Sequence, residues 1–348
     1  MASILEEDLH IAADQVPAEL KGKTVFVTGA TGLIGSQICK SLLLCNRKHQ
    51  TDITVIAMIR NMAKAKSVFA HFLEDSHLVF CEGDITSPVS YDGDVDYIIH
   101  GASPTASKYF VEHPVETIQV ALQGSNSILE FARDKNVQGM VYLSSLEVYG
   151  VPDNSKETIS ETDYGYLDPM SVRSSYSEGK RIVETLCVSY ASEYNVPVKV
   201  VRLSQTFGAG VQYNDGRVFA EFARCLIEKK DIVLHTEGKT VRTYCYTRDA
   251  VSAILTVLTK GTPGEAYNVT NRDTACSIRE MAELVASLEP DAGIQVRVEI
   301  PEDLASFGYN PTMIIRLDPS KLESLGWKPT VGIEEMFRRL IASMRERG

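Results

Sequence analysis

The feature that most constrains the fold is an alternation of apolar runs with helical segments, which begins at a glycine-rich turn. The run TVFV at residues 24–27 predicts a strand buried on both faces, and a helical pattern follows directly after Gly32. The stretch VTGATGLIG places Gly29, Gly32 and Gly35 where this strand passes into the helix. Glycines in this position predict a phosphate-binding turn, because backbone N–H groups and the positive end of the helix dipole face the anion.

Further strands and helices alternate after this turn. Apolar runs predict strands at residues 53–59, 77–81, 95–100, 139–145 and 196–203. Helical patterns near residues 62–73, 114–134 and 175–194 separate most of them. The alternation predicts an α/β fold with a Rossmann-type, doubly wound parallel sheet.

After residue 204 the pattern becomes irregular, which predicts a smaller, interleaved C-terminal substrate lobe. Helices are expected near residues 217–229, 248–259, 278–288 and 333–346, and an amphipathic helix is expected before the first strand. We predict a dinucleotide-binding domain at 1–204 with a returning segment at 240–262. Residues 205–239 and 263–348 are assigned to a nucleotide-sugar-binding lobe.

Composition excludes several classes of partner. The chain has 348 residues and a formal net charge of -11, which disfavours nucleic acid and anionic membranes. Its seven cysteines form no CxxC motif, so we expect reduced thiols and no metal site. The sequence has neither a secretory signal nor an apolar run of the roughly 20 residues that a membrane span needs. We therefore predict a cytoplasmic protein with no membrane partner.

The stretch RSSYSEGKR at residues 173–181 places Tyr176 four residues before Lys180 in a predicted helix. Residues at this spacing share one helix face, so the phenol and the ammonium can reach the same object. A solvated surface pair has the same spacing. This short motif alone therefore leaves both interpretations open.

The spacing G-x-x-G-x-x-G, taken with this pair, resembles the short-chain dehydrogenase/reductase superfamily, and the chain length suggests its extended branch. The resemblance implies that Tyr176 and Lys180 are the catalytic pair and that Ser145, in VYLSSLEVYG, is the catalytic serine. It also implies a nicotinamide cofactor held by residues of the turn and of two later loops: Gly29, Thr31, Gly32, Leu33, Ile34, Gly35, Asp84, Ile85, Gly101, Ala102 and Ser103.

The identity of the nicotinamide cofactor depends on the end of the second strand, AMIRN. An acidic residue there binds the ribose hydroxyl of NAD, whereas an arginine accommodates the 2′-phosphate of NADP. Arg60 occupies this position, and Lys64 and Lys66 follow it. The local charge favours NADP, whereas the family favours NAD, and Arg60 could also stack on the adenine or face water.

Four later stretches resemble the UDP-glucuronate decarboxylases, a nucleotide-sugar branch of the extended enzymes. They are YGYLDPMSVRSSYSEGKRIVE, RLSQTFGAG, NDGRVFAEF and VRTYCYTRDAV. The resemblance implies that Gln205, Arg217 and Arg242 bind the substrate, with Arg242 on a phosphate, as suits the planar guanidinium fork. It also implies a homodimer formed by the helices near 114–134 and 175–194.

Three positions depart from this branch. Leu146 stands where the decarboxylases have a hydroxyl residue and the 4,6-dehydratases have an acidic one, while Gln205 and Ala121 each replace a frequent asparagine. Glu147 matches the base of the dehydratases. Because leucine has no proton to give, Leu146 favours the decarboxylase over the dehydratase.

The resemblance implies that a Tyr176 phenolate accepts the proton of a sugar 4-hydroxyl while hydride moves to the nicotinamide. Lys180 lowers the pKa of the phenol, and Ser145 hydrogen-bonds the same oxygen. A carboxylate on carbon 5 would then be lost as carbon dioxide, giving UDP-xylose or its 4-keto intermediate from UDP-glucuronate. A nucleotide-sugar 4,6-dehydratase, a 4-epimerase, a 4-keto reductase and a non-catalytic dinucleotide sensor stay open as alternatives.

Overall fold

The computed structural model describes residues 3–104, 107–301 and 312–347. The strands are β1 (Thr24–Thr28), β2 (Thr54–Ile59), β3 (Leu78–Glu82), β4 (Tyr97–His100), β5 (Gly139–Ser145), β6 (Val198–Leu203), β7 (Gln205–Phe207), β8 (Ile232–Leu234), β9 (Val241–Tyr246), β10 (Ala266–Val269), β11 (Asn271–Ser277), β12 (Val296–Val298) and β13 (Ile314–Ile315).

The helices are α1 (Ile4–Asp14), α2 (Leu33–His49), α3 (Met62–Val68), α4 (Ser107–Glu112), α5 (Pro114–Asp134), α6 (Ser175–Tyr194), α7 (Val218–Ile227), α8 (Thr247–Lys260), α9 (Ile278–Ser287), α10 (Ser320–Glu323) and α11 (Ile333–Arg345). The predicted helices at 114–134 and 175–194 are confirmed at both ends.

A seven-stranded parallel sheet with the order β3-β2-β1-β4-β5-β6-β10 forms the centre of the molecule. The chain runs outward from β1 in one direction and then returns to β4 to continue in the other. Parallel doubly wound sheets bind ligands at the carboxyl ends of the strands, at such a reversal point. The predicted Rossmann-type fold is confirmed.

Helices cover both faces of this sheet, which explains why its strands are almost wholly apolar. On one face, Val25 and Val27 of β1 share a core with Ile38 of α2 and Ile254 of α8. On the other face, Phe26 shares a core with side chains of α5 and α6. The central sheet is therefore packed between two layers of helices.

The C-terminal part of the chain builds a second core beside the large sheet. Strands β11, β9 and β13 form a smaller sheet, to which β7 is added through β9. Phe219 and Phe222 of α7 pack in this core with Met281 of α9 and Phe337 of α11. Residues of this unit, among them Gln205 and Arg217, line the same cavity as the carboxyl ends of β1, β5 and β6.

The predicted amphipathic helix near the N-terminus is α1, which contacts α2 and α8 and also α11 of the second core. Ser3 caps it and forms a reciprocal capping box with Glu6. The buried Asp8 carboxylate accepts hydrogen bonds from the Tyr246 hydroxyl at 2.5 Å and from Arg339 at 2.9 Å. Helix α1 therefore ties the two cores together.

The predicted division into domains stays a prediction, and two strands cross its boundaries. Strand β10 lies in the large sheet, because Ala266 pairs with Val200 of β6, although 263–348 was assigned to the lobe. Strand β9 lies in the smaller sheet, although 240–262 was expected to return to the large one. Parts of the predicted ranges 1–204 and 263–348 lie outside the described residues, namely 1–2, 105–106, 302–311 and 348.

Candidate active site

A cavity of about 980 Å³ opens at the carboxyl ends of β1, β4, β5 and β6 and reaches the second core. It brings together the predicted cofactor, catalytic and substrate residues, with one exception. Arg242 is not among the described residues that line it. Residues as far apart in the chain as Thr28 and Ile315 therefore meet at a single site.

The glycine turn forms the floor of this cavity beneath the first strand. Gly29 has φ of 69°, and a Cβ there would lie 2.8 Å from the backbone of Gly101. A Cβ on Gly35 would lie 2.3 Å from the carbonyl oxygen of Gly29. Gly32 is the N-cap of α2, so free N–H groups of the first helical turn face the cavity.

A buried polar pair that the sequence did not reveal fixes the loop beside this turn. The Thr28 Oγ1 accepts hydrogen bonds from the backbone N–H groups of Gly101 and Ala102, both at 3.1 Å. It also lies 2.8 Å from His100 Nδ1, and the His100 Nε2 lies 3.1 Å from Ser125 Oγ. Burial lowers the pKa of His100 to about 3, so the imidazole is neutral. The adjacency of β1 and β4 creates this pair.

The far end of the cavity carries the adenine-side residues expected from the resemblance. Arg60 and Lys64 both line it, and the Arg60 guanidinium lies 3.8 Å from the Asp84 carboxylate. The Arg60 side chain is 76% exposed, which leaves it available to a ligand. Ile85 packs against Gly124 of α5, where a Cβ would lie 2.6 Å from the isoleucine side chain.

The three predicted catalytic side chains meet where β5 ends and α6 begins. Ser145 is the last residue of β5, and its Oγ accepts a hydrogen bond from Glu147 N at 3.2 Å. The Tyr176 ring stacks on Phe110 with centroids 4.2 Å apart. The Lys180 Nζ donates to the Leu143 carbonyl at 2.8 Å and lies 5.7 Å from the centre of the Tyr176 ring.

Burial shifts the pKa values of both catalytic partners. Burial raises the pKa of the Tyr176 phenol and Glu147 acts in the same direction, while the hydrogen bond with Ser145 and the charge of Arg217 oppose the shift. Burial also lowers the pKa of Lys180 to about 8, against the opposing effect of Glu184. The protein's own groups alone therefore do not lower the tyrosine pKa, and the lowering expected from Lys180 together with a positive nicotinamide ring stays a prediction.

Behind Ser145 lies a second buried network that the sequence did not reveal. The Ser144 Oγ donates to Glu184 Oε1 at 2.6 Å, and Arg202 Nη2 donates to Glu184 Oε2 at 2.6 Å. Arg202 also donates to the Tyr149 hydroxyl at 3.0 Å. Glu184 stands four residues after Lys180 on α6, and this helical spacing is the feature of the sequence that could have indicated a buried partner near the catalytic lysine. The network joins β5, α6 and β6 directly behind the catalytic side chains.

Glu147 faces a positive partner from β9. The Arg242 Nη1 lies 3.4 Å from Glu147 Oε1, and the arginine side chain is 12% exposed. Arg242 is therefore paired with a carboxylate, and the phosphate contact expected from the resemblance stays a prediction. Leu146 lines the cavity and is buried against Met313 and Ile315, which form an apolar wall at this point.

The remaining predicted substrate residues lie on the same side of the cavity. Gln205, the first residue of β7, is half-buried in the lining. Arg217 Nη2 binds Asp215 Oδ2 at 2.7 Å, so a neighbouring carboxylate already balances its charge. Arg173 also lines the cavity, and sequence reasoning missed it although it stands only three residues before Tyr176.

The described residues form neither a candidate metal site nor a helix that could span a membrane. Residues 3–104, 107–301 and 312–347 contain no group of three or more His, Cys, Asp or Glu side chains arranged to hold a metal ion. Within the same residues, no helix combines the length and the apolar character needed to cross a bilayer.

The doubly wound sheet, the glycine turn and the Ser-Tyr-Lys group together define a short-chain dehydrogenase/reductase of the extended type. More specifically, the chain belongs to the NAD dependent epimerase/dehydratase family, whose model matches residues 25–270. The glycine turn fits a dinucleotide because Gly29 and Gly35, which have no side chains, allow the turn to pack closely against the Gly101 loop and the start of α2. A Cβ at either position would clash with backbone atoms. The family is one of NAD-dependent enzymes that modify sugar nucleotides.

Known proteins similar to this chain span several reactions. UDP-glucuronic acid decarboxylase 2 of Arabidopsis thaliana is 27% identical over 94% of this chain and 69% of its own length. DesIV, a dTDP-glucose 4,6-dehydratase of Streptomyces venezuelae solved with NAD, is 24% identical, with a TM-score of 0.77 over 93% of this chain and 97% of its own. A UDP-glucuronic acid 4-epimerase of Bacillus cereus is 20% identical, with a TM-score of 0.72 over 93% and 99%.

Proposed function

We propose that this protein oxidises the 4-hydroxyl of UDP-glucuronate and decarboxylates the product, yielding UDP-xylose or its 4-keto intermediate. The observation that carries this proposal is the contact of Arg242 with Glu147 at 3.4 Å. An unpaired glutamate would repel a sugar carboxylate, because like charges at close range raise each other's proton affinity. Arg242 removes this obstacle by neutralising Glu147. Similarity to the decarboxylase of Arabidopsis thaliana also supports the proposal.

The bound nicotinamide dinucleotide supplies the chemistry of accepting a hydride and later returning it. The N–H groups at the start of α2 would hold its phosphates, and the Thr28–His100 pair fixes the neighbouring Gly101 loop, which also lines the cavity. The contact of Lys180 with the Leu143 carbonyl fixes the lysine beside the Tyr176 ring. The step left to the protein's own side chains is removal of the proton from the sugar 4-hydroxyl.

Tyr176 is the proposed base for that proton, and its stacking on Phe110 fixes the ring in place. Because burial raises the pKa of this phenol, its ionisation needs positive charge from Lys180 and from the oxidised nicotinamide ring. Ser145 holds the same sugar oxygen at reacting distance.

Oxidation at carbon 4 turns the sugar acid into a β-keto acid. Loss of carbon dioxide breaks the bond between carbons 5 and 6 and leaves the electron pair as an enolate, with its negative charge on the oxygen at carbon 4. Ser145 and Tyr176 donate hydrogen bonds to that oxygen. A proton from solvent at carbon 5 would give the 4-keto pentose, and a hydride at carbon 4 together with the Tyr176 proton on its oxygen would give UDP-xylose.

The dehydratase alternative requires an acid that protonates the departing 6-hydroxyl. Leu146 occupies the candidate position, and it is packed with Met313 and Ile315 in an apolar wall. No proton donor is available from this side chain. A 4-epimerase or a 4-keto reductase would use Ser145, Tyr176 and Lys180 in the same way and would be distinguished by its product.

The decisive experiment mixes the purified protein with NAD+ and a panel of UDP-, dTDP-, CDP- and GDP-sugars without added reductant. We expect carbon dioxide and a UDP-pentose, or its 4-keto form, from UDP-glucuronate alone. A 4-keto-6-deoxy product from any hexose would reject the decarboxylase. An epimer of UDP-glucuronate, without gas release, would establish the 4-epimerase instead.

Tyr176→Phe tests the assignment of the base and excludes a non-catalytic sensor. We expect turnover to fall about 10²- to 10⁴-fold while NAD+ still binds, because the variant loses only a proton acceptor. The matched control is Tyr194→Phe, an exposed tyrosine on the same helix. Equal turnover in the wild type and Tyr176→Phe would contradict the proposed mechanism.

We also propose a preference between the two forms of the cofactor. Arg60, exposed and with only a 3.8 Å contact to Asp84, lies beside Lys64 at the adenine end of the cavity. These charges favour a 2′-phosphate, so we expect NADP+ to bind at least as tightly as NAD+. Calorimetric titration with both dinucleotides decides the point, and a clear preference for NAD+ would refute it.

Finally, we propose that the protein is a homodimer assembled through α5 and α6. Apolar side chains remain exposed on these two helices: Val115, Ile118, Ile182 and Val188. Adjacent exposed apolar residues on two packed helices are typical of a surface that another protein covers. A second copy of the same surface would complete a four-helix contact.

A further inference from the structure

Ser204, the residue between β6 and β7, has a buried hydroxyl that the protein itself does not use. The residue lines the cavity and is only 4% exposed. Its Oγ has no hydrogen-bond partner among the described residues. An unpaired buried hydroxyl is costly, so its persistence at a ligand cavity calls for a partner from outside the chain.

The backbone around this serine is fully hydrogen-bonded. The Ser204 N donates to the Val269 carbonyl at 3.0 Å, and its carbonyl accepts from Thr206 Oγ1 at 3.0 Å. These bonds hold the segment between β10 and β7. The unused group is therefore the side chain alone, and it is held in a fixed place.

The position of this serine is close to the reacting centre. Leu203, the preceding residue, is the register partner of Ser145 in the pairing of β6 with β5. The following residue, Gln205, also lines the cavity, and within the described part of the chain its amide makes no side-chain hydrogen bond. Two consecutive polar side chains beside the catalytic serine are thus without partners.

Other buried hydroxyls without partners are found at Ser41, Thr247 and Tyr244, but none of these residues lines the cavity. Ser204 alone among the described residues combines an unused buried hydroxyl with a place in the cavity wall. This combination separates a ligand contact from an ordinary packing defect.

We propose that Ser204 is a ligand-contacting residue whose hydroxyl hydrogen-bonds a hydroxyl or carboxamide group at the reacting end of the bound ligands. That group belongs either to the nicotinamide or to the sugar. A hydrogen bond from Ser204 to the sugar depends on the proposed function. A hydrogen bond to the nicotinamide depends only on the family's use of a dinucleotide. With Gln205, Ser204 would help to decide which sugar fits at this end of the cavity.

The test compares Ser204→Ala with the wild type in three measurements. Without ligands, the variant should melt about 1–4 °C higher, because it no longer buries an unpaired hydroxyl. With ligand, its affinity should fall about three- to tenfold, the effect of one lost hydrogen bond. Calorimetry measures NAD+ binding first and then binding of the sugar-nucleotide panel to the NAD-loaded protein.

Ser41→Ala is the matched control, since Ser41 on α2 is also fully buried with an unpartnered Oγ. It should raise the melting temperature without changing either affinity. Weaker NAD+ binding by Ser204→Ala assigns the partner to the nicotinamide, and weaker sugar-nucleotide binding alone assigns it to the sugar.

Unchanged affinity for both ligands, or a lower melting temperature of the ligand-free variant, would overturn the assignment. If no sugar nucleotide binds the wild type, the proposed function fails separately. Unchanged NAD+ affinity would then overturn the role of Ser204 as well, and weaker NAD+ binding would support it.

Discussion

Charged side chains at the site are arranged in pairs that no local pattern reveals. Arg242 meets Glu147 from a position 95 residues away, and Arg202 meets Glu184 from 18 residues away. Each arginine offers a planar fork to a carboxylate in a poorly solvated place, where an unpaired charge is costly. The residue types suggested a ligand contact at Arg242, and only the fold reveals that this guanidinium also faces the Glu147 carboxylate.

Lys199 of β6 is a buried charge with no carboxylate partner in the described part of the chain, and a prediction about stability follows from it. Its Nζ donates to the Leu258 carbonyl at 3.1 Å, and burial lowers its pKa to about 8. We expect Lys199→Met to raise the free energy of unfolding at pH 7 by about 1–2 kcal/mol, because the unpaired ammonium is lost. Urea denaturation measures the change, and exposed Lys260→Met is the control.

The same group predicts how stability changes with pH. Between its folded pKa of about 8 and the ordinary lysine value near 10.5, the unfolded chain binds more protons than the folded protein. The contribution of Lys199 to stability should therefore rise with pH across this window, and Lys180, whose pKa also falls to about 8, contributes in the same direction. Buried thiols such as Cys39 and Cys187, whose pKa is raised by burial, contribute in the opposite direction. Lys199→Met should therefore make the slope of stability against pH less positive than in the wild type, and an unchanged slope would contradict the assignment.

At the scale of secondary structure, the decisive element is the junction of β1 with α2. Glycine is needed here for two reasons. Gly29 has a positive φ, and the Gly101 loop and the first turn of α2 approach the Gly29 backbone too closely to leave space for a Cβ atom. The close approach brings the N–H groups of the helix start to the cavity floor. This explains why the local sequence alone was enough to predict the turn.

Gly35→Ala tests this junction directly. The added Cβ would lie 2.3 Å from the Gly29 carbonyl oxygen, so the backbone of the turn must move. We expect a loss of about 1–3 kcal/mol of unfolding free energy together with weaker NAD+ binding. Gly332→Ala is the control, because a Cβ there meets nothing within 4 Å. Wild-type melting temperature and NAD+ affinity in Gly35→Ala would refute the steric argument.

At the scale of the whole molecule, the exposed side chains of α5 and α6 predict the oligomeric state. We expect the wild type to elute as a dimer and Ile182→Lys to shift it to a monomer, because a charge would be buried in an apolar contact. Size-exclusion chromatography with light scattering measures the mass. Leu73→Lys, at another exposed apolar residue, should remain dimeric. A wild-type monomer at micromolar concentration would contradict the proposed assembly.

Much of the architecture followed from the sequence, because it depends on local periodicity. The helices at 114–134 and 175–194 were found at both ends from their patterns of apolar residues. Glycine spacing at the first turn predicted a turn that the structure places in the wall of the cavity. The predicted domain boundaries stay a prediction, and near them lie β9 and β10, short strands whose sheet is set by distant partners, Val241 beside Ser277 and Ala266 beside Val200.

The sequence by itself determined the order of elements, the glycine turn between β1 and α2 and the spacing of Tyr176 and Lys180, since each depends on residues close together in the chain. Only the tertiary structure decided which charges and hydroxyls meet. The Thr28–His100 contact spans 72 residues, and the Arg242–Glu147 contact spans 95. The unused hydroxyl of Ser204 likewise emerges only when β5, β6 and β10 lie side by side. Packing of distant segments sets these environments, and the environment of a side chain determines its charge and its free hydrogen bonds.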